Sequence, residues 1–139
     1  MVTFVPDFVS QAVADHSARV TAAEQDFARR FPNDAAARRQ ALAEWRRANP
    51  APRATLAQVA DHVEHIRRIA GVEHVGIGSD FDGISTVPDG LEDVSTFPAL
   101  FAELARRGWT ERELRLLSGE NVLRVMRRAE AVAARLRQR

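Results

Sequence analysis

The sequence predicts an α/β fold in which two parallel strands are joined through helices. The first strand-like run is residues 2–5 (VTFV), which Pro6 halts, and the second is residues 75–79 (VGIGS). Both runs carry β-branched residues, which favour strands. Because helical segments separate the runs, and a parallel connection needs such a crossover, we expect the two strands to pair in parallel.

Two helices are expected in the region that follows the first strand. The first covers residues 7–31, where apolar residues form a broken stripe. The second covers residues 35–48, and either Asn33 or Asp34 can cap its start. Residues 49–52 (NPAP) then stop it, because proline cannot continue a helix.

A third helix is expected over residues 54–71, directly before the second strand. Thr55 can cap its start and Gly71 can end it. Its apolar residues recur at helical spacing, so one face of the helix is apolar. These positions are Leu56, Val59, Val63, Ile66 and Ala70.

Two carboxylates follow the second strand at the point where it stops. Asp80 and Asp82 lie in a turn that ends at Gly83. In a parallel α/β barrel the catalytic groups project from the carboxyl ends of the strands, so Asp80 is a candidate for chemistry. Aspartate is also common in turns because its side chain bonds nearby backbone N–H groups, and position alone does not separate the two interpretations. Asp82 is expected to hydrogen-bond the turn and to hold Asp80 in place.

The C-terminal third is expected to be a loop followed by helices. The loop covers residues 84–95 and turns at residues 88–90 (PDG). A capping box at residues 110–113 (TERE) starts a helix that Gly119 breaks. The other two helices are expected at about residues 97–107 and 120–137.

The composition excludes several classes of protein. The chain of 139 residues is long enough for one domain, and it contains no cysteine, which excludes disulfides and a redox role. No apolar run approaches the length of a membrane span, and no signal-peptide pattern is present. We therefore expect a soluble, cytoplasmic protein with no membrane partner.

Charge is unevenly distributed along the chain. The formal net charge is +1, but residues 54–105 carry −7 and residues 106–139 carry +6. An acidic middle segment would suit the mouth of a cation-binding site. The alternative is that loops are simply acidic, and we favour it for Asp89, Glu92 and Asp93.

The block from residue 54 to residue 95 resembles the C-terminal part of the renal (membrane) dipeptidase family, peptidase family M19. The resemblance is carried by Asp61, His62 and His65 in the helix and by residues 76–83 (GIGSDFDG). It is weak in residues 10–50, where an Ala/Arg-rich helical insert of the kind seen in bacterial-type members is expected. Further matches lie at residues 1–6 (MVTFVP), 87–95 (VPDGLEDVS), 109–111 (WTE) and 121–125 (NVLRV).

This resemblance implies a fold and a function. The fold is a (β/α)8 TIM barrel of the metallo-dependent hydrolase type, of which residues 1–139 form the last two βα units and the terminal helices. A complete barrel typically needs about 250 residues, so the chain resembles a fragment. Family members hold two zinc ions and hydrolyse dipeptides, often with a D- or unusual C-terminal residue, by a metal-activated water. Asp80 is the implied catalytic and substrate-binding residue, which contacts the substrate amine and transfers a proton.

The family's zinc ligands do not carry over to this chain. They are a His-x-Asp pair, a bridging glutamate and two further histidines, and all lie upstream of the segment that this chain resembles. We therefore expect no metal ligand here, an inactive chain when it is alone, and exposed apolar surface where six other strands would pack. The expected partners are a dipeptide substrate and a second copy of the chain in a homodimer. The alternative is a non-catalytic remnant or a subunit completed by a second chain.

Two other features, the histidines and the Arg-rich terminal helix, are assigned structural and not catalytic roles. His62 and His65 stand three residues apart and could share a metal, but neither occupies a ligand position of the resembled family, and a packing role is favoured for His62 beside the apolar face. His74 is expected at the amino end of its strand, and His16 shows no evident partner. The Arg-rich terminal helix could contact nucleic acid phosphates, but a solvated face or a partner contact fits its clean apolar side better, so no nucleic acid is expected.

Overall fold

The computed structural model describes residues 1–138, and most of these residues are helical. Short 3-10 turns at Val72–His74 and Val94–Thr96 and a widened turn at Leu116–Glu120 link the longer helices. The α-helices are α1 (Pro6–Val9), α2 (Gln11–Arg30), α3 (Ala35–Ala48), α4 (Leu56–Ala70), α5 (Phe97–Arg106), α6 (Glu111–Arg115) and α7 (Asn121–Leu136).

The helix ends follow local chemistry that the sequence already indicated. Asp34 caps α3 by accepting a hydrogen bond from the Ala37 N–H at 2.9 Å. Thr55 forms a reciprocal capping box with Gln58 at the start of α4, and Gly71 ends that helix with a φ of +92°. Each of these caps satisfies backbone groups that a helix end leaves without a partner, so the predicted boundaries of α3 and α4 are confirmed. The single helix predicted over residues 7–31 is wrong, because the backbone is extended at Ser10 and separates α1 from α2.

The two predicted strands are reduced to a single parallel bridge between Val2 and Ile77. The Val2 N–H donates to the Gly76 carbonyl at 2.7 Å, and the Gly78 N–H donates to the Val2 carbonyl at 2.9 Å. The next bond runs from the Phe4 N–H to the Ser79 carbonyl, one residue beyond the position that a regular ladder would use. This slip ends the ladder, so the parallel direction was predicted correctly and the strand lengths were not. Within residues 1–138 there is no extended sheet, and a partial barrel is not confirmed.

A second parallel bridge was not foreseen from the sequence. It joins Thr55 to Asp89, and the Leu56 N–H donates to the Asp89 carbonyl at 2.9 Å. The predicted turn follows at once, because the Leu91 N–H bonds the Pro88 carbonyl at 3.0 Å and Gly90 has a φ of +85°. The acidic loop is thereby tied to the start of α4.

The chain divides into two compact units, one of Met1–Val5 with the chain from Thr55 onward, the other of Pro6–Ala54. The second unit contains α1, α2 and α3 and includes the whole helical segment predicted at 10–50. Within it, His16 is buried, its Nε2 lies 3.0 Å from the Asn49 carbonyl, and its ring centroid lies 5.9 Å from that of Trp45. The prediction that His16 lacks a partner was therefore wrong.

Helix α7 differs from the other long helix of the first unit in how little of it is buried. Gly119 leaves helical geometry just before it, as predicted, and only Asn121 of α7 is buried. The apolar side of α7 is exposed at Val122, Leu123, Val125, Met126, Val132 and Leu136. The expectation of exposed apolar surface is confirmed. No helix within residues 1–138 is long and apolar enough to cross a membrane.

Candidate active site

Asp80 occupies a tight turn directly after the extended segment that contains Ile77. Its φ is +72°, and it is the only non-glycine residue with a positive φ among the described residues. The Gly83 N–H donates to the Asp80 carbonyl at 2.9 Å and closes the turn. Aspartate tolerates this left-handed conformation better than most side chains. Such conformations cluster at functional sites, where the surrounding structure enforces them.

The carboxylate of Asp80 is exposed and is not used by the fold. Within residues 1–138 no hydrogen bond or ion pair holds its oxygen atoms. A turn-forming aspartate would accept a hydrogen bond from a nearby backbone N–H. That bond is not present, so the local geometry gives the side chain no structural task.

Three phenylalanine rings pack together next to this turn. The Phe4 ring is fully buried, and it packs edge-on against Phe81 at 5.6 Å and against Phe97 at 5.9 Å between ring centroids. The rings of Phe81 and Phe97 stack with centroids 5.9 Å apart. Aromatic pairs at these separations add stability beyond the area that they bury. The cluster fixes the residue after Asp80 to the first extended segment and to the start of α5.

Asp82 does not form the hydrogen bond to the turn that was expected from the sequence. Its side chain is exposed, and in the described part of the chain it makes no hydrogen bond to the turn. The turn is instead closed by backbone atoms and anchored by Phe81. Sequence reasoning missed this cluster, although the signal was available: one phenylalanine lies next to Asp80, and the others lie in the first strand-like run and at the start of α5.

The remaining acidic residues near the loop serve local structure. Glu92 accepts a hydrogen bond from the Gly90 N–H at 2.8 Å, and Asp93 accepts one from the Ser95 N–H at 2.7 Å. The bonds to Ser95 lower the pKa of Asp93. Among residues 1–138, no group of three or more His, Asp or Glu side chains could hold a metal ion.

The histidines of this unit do not meet at the turn. His62 is half-buried on α4, and His65 is exposed with its Nδ1 3.1 Å from an Arg68 nitrogen. His74 lies in the 3-10 turn Val72–His74, and not in a strand as predicted. None of the three is joined to Asp80 by a hydrogen bond or ion pair within the described residues.

A separate cluster of charges fastens α4 to α5. Arg107 is 17% exposed and donates to Asp61 at 2.6 Å, to Glu64 at 2.8 Å and to Glu103 at 2.6 Å. The hydrogen bond from Arg106 lowers the pKa of Glu103 the most, and with the bond from Arg107 it brings that pKa to about 2. The hydrogen bonds to Asp61 and Glu64 raise the pKa of Arg107. We call these five residues the Arg107 cluster.

A second set of contacts ties α4 to the turn before α6. Arg67 pairs with Glu113 and lies over the buried Trp109 ring, 4.8 Å from its centroid. The backbone hydrogen bond from Thr110 and then the bond from Arg67 lower the pKa of Glu113. The predicted capping box of Thr110 and Glu113 is present. These contacts tie α4 to α6 and to the residues just before it.

The base of the extended segment is anchored from α7. The Asn121 side chain is buried and donates to the Val72 carbonyl at 2.7 Å and to the Val75 carbonyl at 2.9 Å. Arg124 adds a hydrogen bond to the Glu73 carbonyl at 2.6 Å. Beside these contacts, an open groove of about 780 Å³ runs between the segment and the apolar side of α7.

Comparison with known proteins places this architecture in a family. The chain resembles Dipeptidase verJ of Clonostachys rogersoniana, with 50% identity over 84 residues, which are 60% of this chain and 22% of that protein. It resembles Dipeptidase 3 of Rattus norvegicus with 52% identity over 79 residues, which are 57% of this chain and 16% of that protein.

A solved structure shares the fold over most of the chain. The probable dipeptidase PvdM from Pseudomonas aeruginosa superposes with a TM-score of 0.63 and 25% identity, covering 88% of this chain and 34% of that one. The chain thus spans about a third of that structure and 16–22% of the two curated relatives. The family description "Membrane dipeptidase (Peptidase family M19)" matches residues 1–139, and the chain therefore belongs to peptidase family M19.

Proposed function

We propose that this chain forms part of a dipeptidase and that Asp80 is its substrate-contacting and proton-transferring residue. The observation that carries the proposal is the state of the Asp80 carboxylate. It is exposed, it has no partner among residues 1–138, and the turn that bears it is held by the phenylalanine cluster. A carboxylate that the fold does not use, on a turn that the fold enforces, is available for a ligand.

The chemistry suits a dipeptide. The ammonium group of a dipeptide is a natural partner for an unpaired carboxylate, and the resulting charge-assisted hydrogen bonds are stronger than neutral ones. Peptide hydrolysis also requires a proton at the departing amine. A positioned carboxylate can take a proton from the attacking water and pass it to that amine, and such proton transfer typically contributes about 10²- to 10⁴-fold to the rate.

Zinc enters this proposal only where further polypeptide supplies its ligands. The described residues bring no three potential ligands together. This chain alone therefore does not fit two zinc ions, and Asp80 is assigned no role as a ligand. The ions that the family resemblance implies would be held by residues outside the described chain.

The same consideration supports completion of the site by further polypeptide. The groove beside α7 is lined by apolar side chains that include Val75, Val125 and Met126, and those on α7 are exposed. In a parallel ladder the backbone groups of Ile77 face away from Val2, and no backbone hydrogen bond to them occurs within residues 1–138. A subunit completed by a second chain is the other candidate function, and this open surface favours it over a remnant that works alone.

The test compares the 139-residue chain with the longest product of the same gene that contains it. Zinc content and hydrolysis of a panel of L,L- and L,D-dipeptides are measured for both, each with an Asp80→Asn counterpart. We expect zinc and activity in the longer product only, and we expect Asp80→Asn to abolish most of the activity while zinc content stays normal.

Each alternative outcome has a distinct meaning. Loss of zinc in the Asp80→Asn protein would make Asp80 a ligand and would contradict its assigned role. Activity in the 139-residue chain would contradict the need for completion. Absence of zinc and of hydrolysis in both proteins would contradict the dipeptidase proposal and leave a partner-completed subunit, which mixing with a candidate partner chain would reveal.

A further inference from the structure

Gly83 lies unusually close to the Asp80 carboxylate. A Cβ atom built on Gly83 would stand 2.5 Å from Asp80 Oδ1, 3.1 Å from Cγ and 3.4 Å from Oδ2. The first two distances are too short for ordinary contact between these atoms. All three nearest atoms belong to one carboxylate, and none belongs to the backbone.

The backbone of Gly83 does not itself require glycine. The described glycines with a positive φ are Gly71, Gly90 and Gly108, and Gly83 is not among them. At those three positions a side chain would strain the backbone whatever space is available. At Gly83 the obstacle to a side chain is the Asp80 carboxylate alone, so the missing side chain is explained by space and not by conformation.

We propose that Gly83 is a positioning residue for Asp80. By leaving the space over the turn empty, it lets the Asp80 carboxylate fold back across residues 80–83, and the backbone bond between the same two residues sets the turn that makes this possible. The inference rests on the proposed function where it concerns catalysis, and on geometry alone where it concerns the side chain.

The consequence of an added methyl group follows from these distances. In Gly83→Ala the turn keeps its backbone, because nothing but the end of the Asp80 side chain must move. The carboxylate then rotates to another rotamer and its oxygen atoms are displaced. A displacement of about 1 Å at a reacting group can cost about 100-fold in rate. We therefore expect a folded protein with a misplaced carboxylate.

The first measurement does not depend on activity. The full 139-residue chain is labelled with ¹³C and ¹⁵N, and the side-chain carboxyl signal of Asp80 is assigned by its loss in Asp80→Asn. We expect Gly83→Ala to move the Asp80 carboxyl signal and to change its χ1 couplings, while amide signals in α4 and α5 stay in place. An unchanged Asp80 signal would overturn the proposal whatever the activity data show.

A matched background separates positioning from a general disturbance of the turn. Asp80→Gly removes the carboxylate and suits the positive φ at that position. In this background the methyl group of Gly83→Ala meets no carboxylate, so the amide shifts of residues 81–85 are expected to change much less than in the parent chain. Equal changes in both backgrounds would contradict the steric link between the two residues.

The second measurement uses the longest protein product of the gene that contains this chain. Gly83→Ala is expected to lower kcat by about 100-fold with a smaller change in KM, because the misplaced group acts in the proton-transfer step. Full activity in Gly83→Ala combined with a moved Asp80 signal would overturn the catalytic part of the inference. Full activity in Asp80→Asn would instead overturn the proposed function, while the NMR comparison would still decide the positioning.

Discussion

Two groups of acidic side chains in the same unit are treated in opposite ways. In the Arg107 cluster, Asp61, Glu64 and Glu103 all bond one arginine that is only 17% exposed. In the turn after the extended segment, Asp80 and Asp82 are exposed and bond no cation within residues 1–138. The first group uses its charge to join two helices, and the second leaves its charge unused.

This difference shows which carboxylates of an acidic sequence are candidates for substrate binding and catalysis. A carboxylate that is already paired has its hydrogen-bonding capacity filled, and pairing lowers its pKa, as it does for Glu103. Asp80 is positioned instead by the apolar contacts of its neighbour Phe81 and by backbone conformation. Position without pairing is the combination that a substrate-binding acid needs.

The largest effect is expected for Asp80→Asn in the longest protein product of the gene that contains this chain. Asparagine keeps the size of the side chain and tolerates the positive φ, but it cannot transfer a proton. We expect kcat to fall by about 10²- to 10⁴-fold. The unfolding free energy of the 139-residue chain should change by less than about 0.5 kcal/mol.

Asp82→Asn is the matched control for this substitution. It removes the same charge two residues away, from a side chain that makes no described contact. Its kcat is expected to stay within about threefold of the parent, a barrier change of under about 0.7 kcal/mol. Similar losses in the two variants would show that net negative charge in the turn matters, and not the Asp80 carboxylate itself.

An intermediate effect, on stability and not on chemistry, is expected for Arg107→Ala. The change leaves three carboxylates without their shared cation, and Arg107 is largely buried while Asp61 is exposed. We expect a loss of about 1–3 kcal/mol, between the values typical of exposed and of buried pairs. Urea unfolding followed by Trp109 fluorescence, in a Trp45→Phe background, would report this unit.

The neighbouring Arg106→Ala provides the control. The Arg106 side chain is 72% exposed and pairs with Glu103. Because the Arg106 guanidinium lies in water, we expect Arg106→Ala to cost much less stability than Arg107→Ala. If the two arginine variants lost the same stability, the difference between a shared buried cation and a surface pair would not hold.

The smallest effect is expected when the pH is lowered from about 4.5 toward 2. The pKa of Glu103 lies at about 2, below its ordinary value of 4.5, because it bonds Arg106 and Arg107. Since the folded pKa is the lower one, its stabilising contribution is complete above about pH 4.5 and is lost as the pH falls toward about 2. Urea unfolding at several pH values should show this decline, and Glu103→Gln should flatten it. An equally steep decline in Glu103→Gln would assign it to other carboxylates.

Much of the local structure could be predicted because it is encoded by neighbouring residues. Thr55, Asp34 and Gly71 act within one turn of the chain, and the capping box of Thr110 works in the same way. The position of Asp80 after an extended segment was likewise a local inference, and the segment is paired in parallel as expected. Its catalytic role stays a prediction.

The parts that sequence reasoning missed depend on residues far apart in the chain. The phenylalanine cluster joins residues 4, 81 and 97, and the Arg107 cluster joins α4 to α5. Hydrophobic spacing predicts which face of a helix is apolar, but not which partner covers it or how long a ladder continues. The slip at Ser79, which shortened both predicted strands, arises from such tertiary geometry.

The left-handed backbone of Asp80 also filters which substitutions this position can accept. Glycine and asparagine fit that conformation with little strain, whereas β-branched and bulky residues do not. The replacements that preserve the turn are therefore ones that remove the acid. Drift at this site is expected to produce chains that fold normally and have lost the proton-transferring group, so that a loss of activity during evolution would leave almost no trace in the fold.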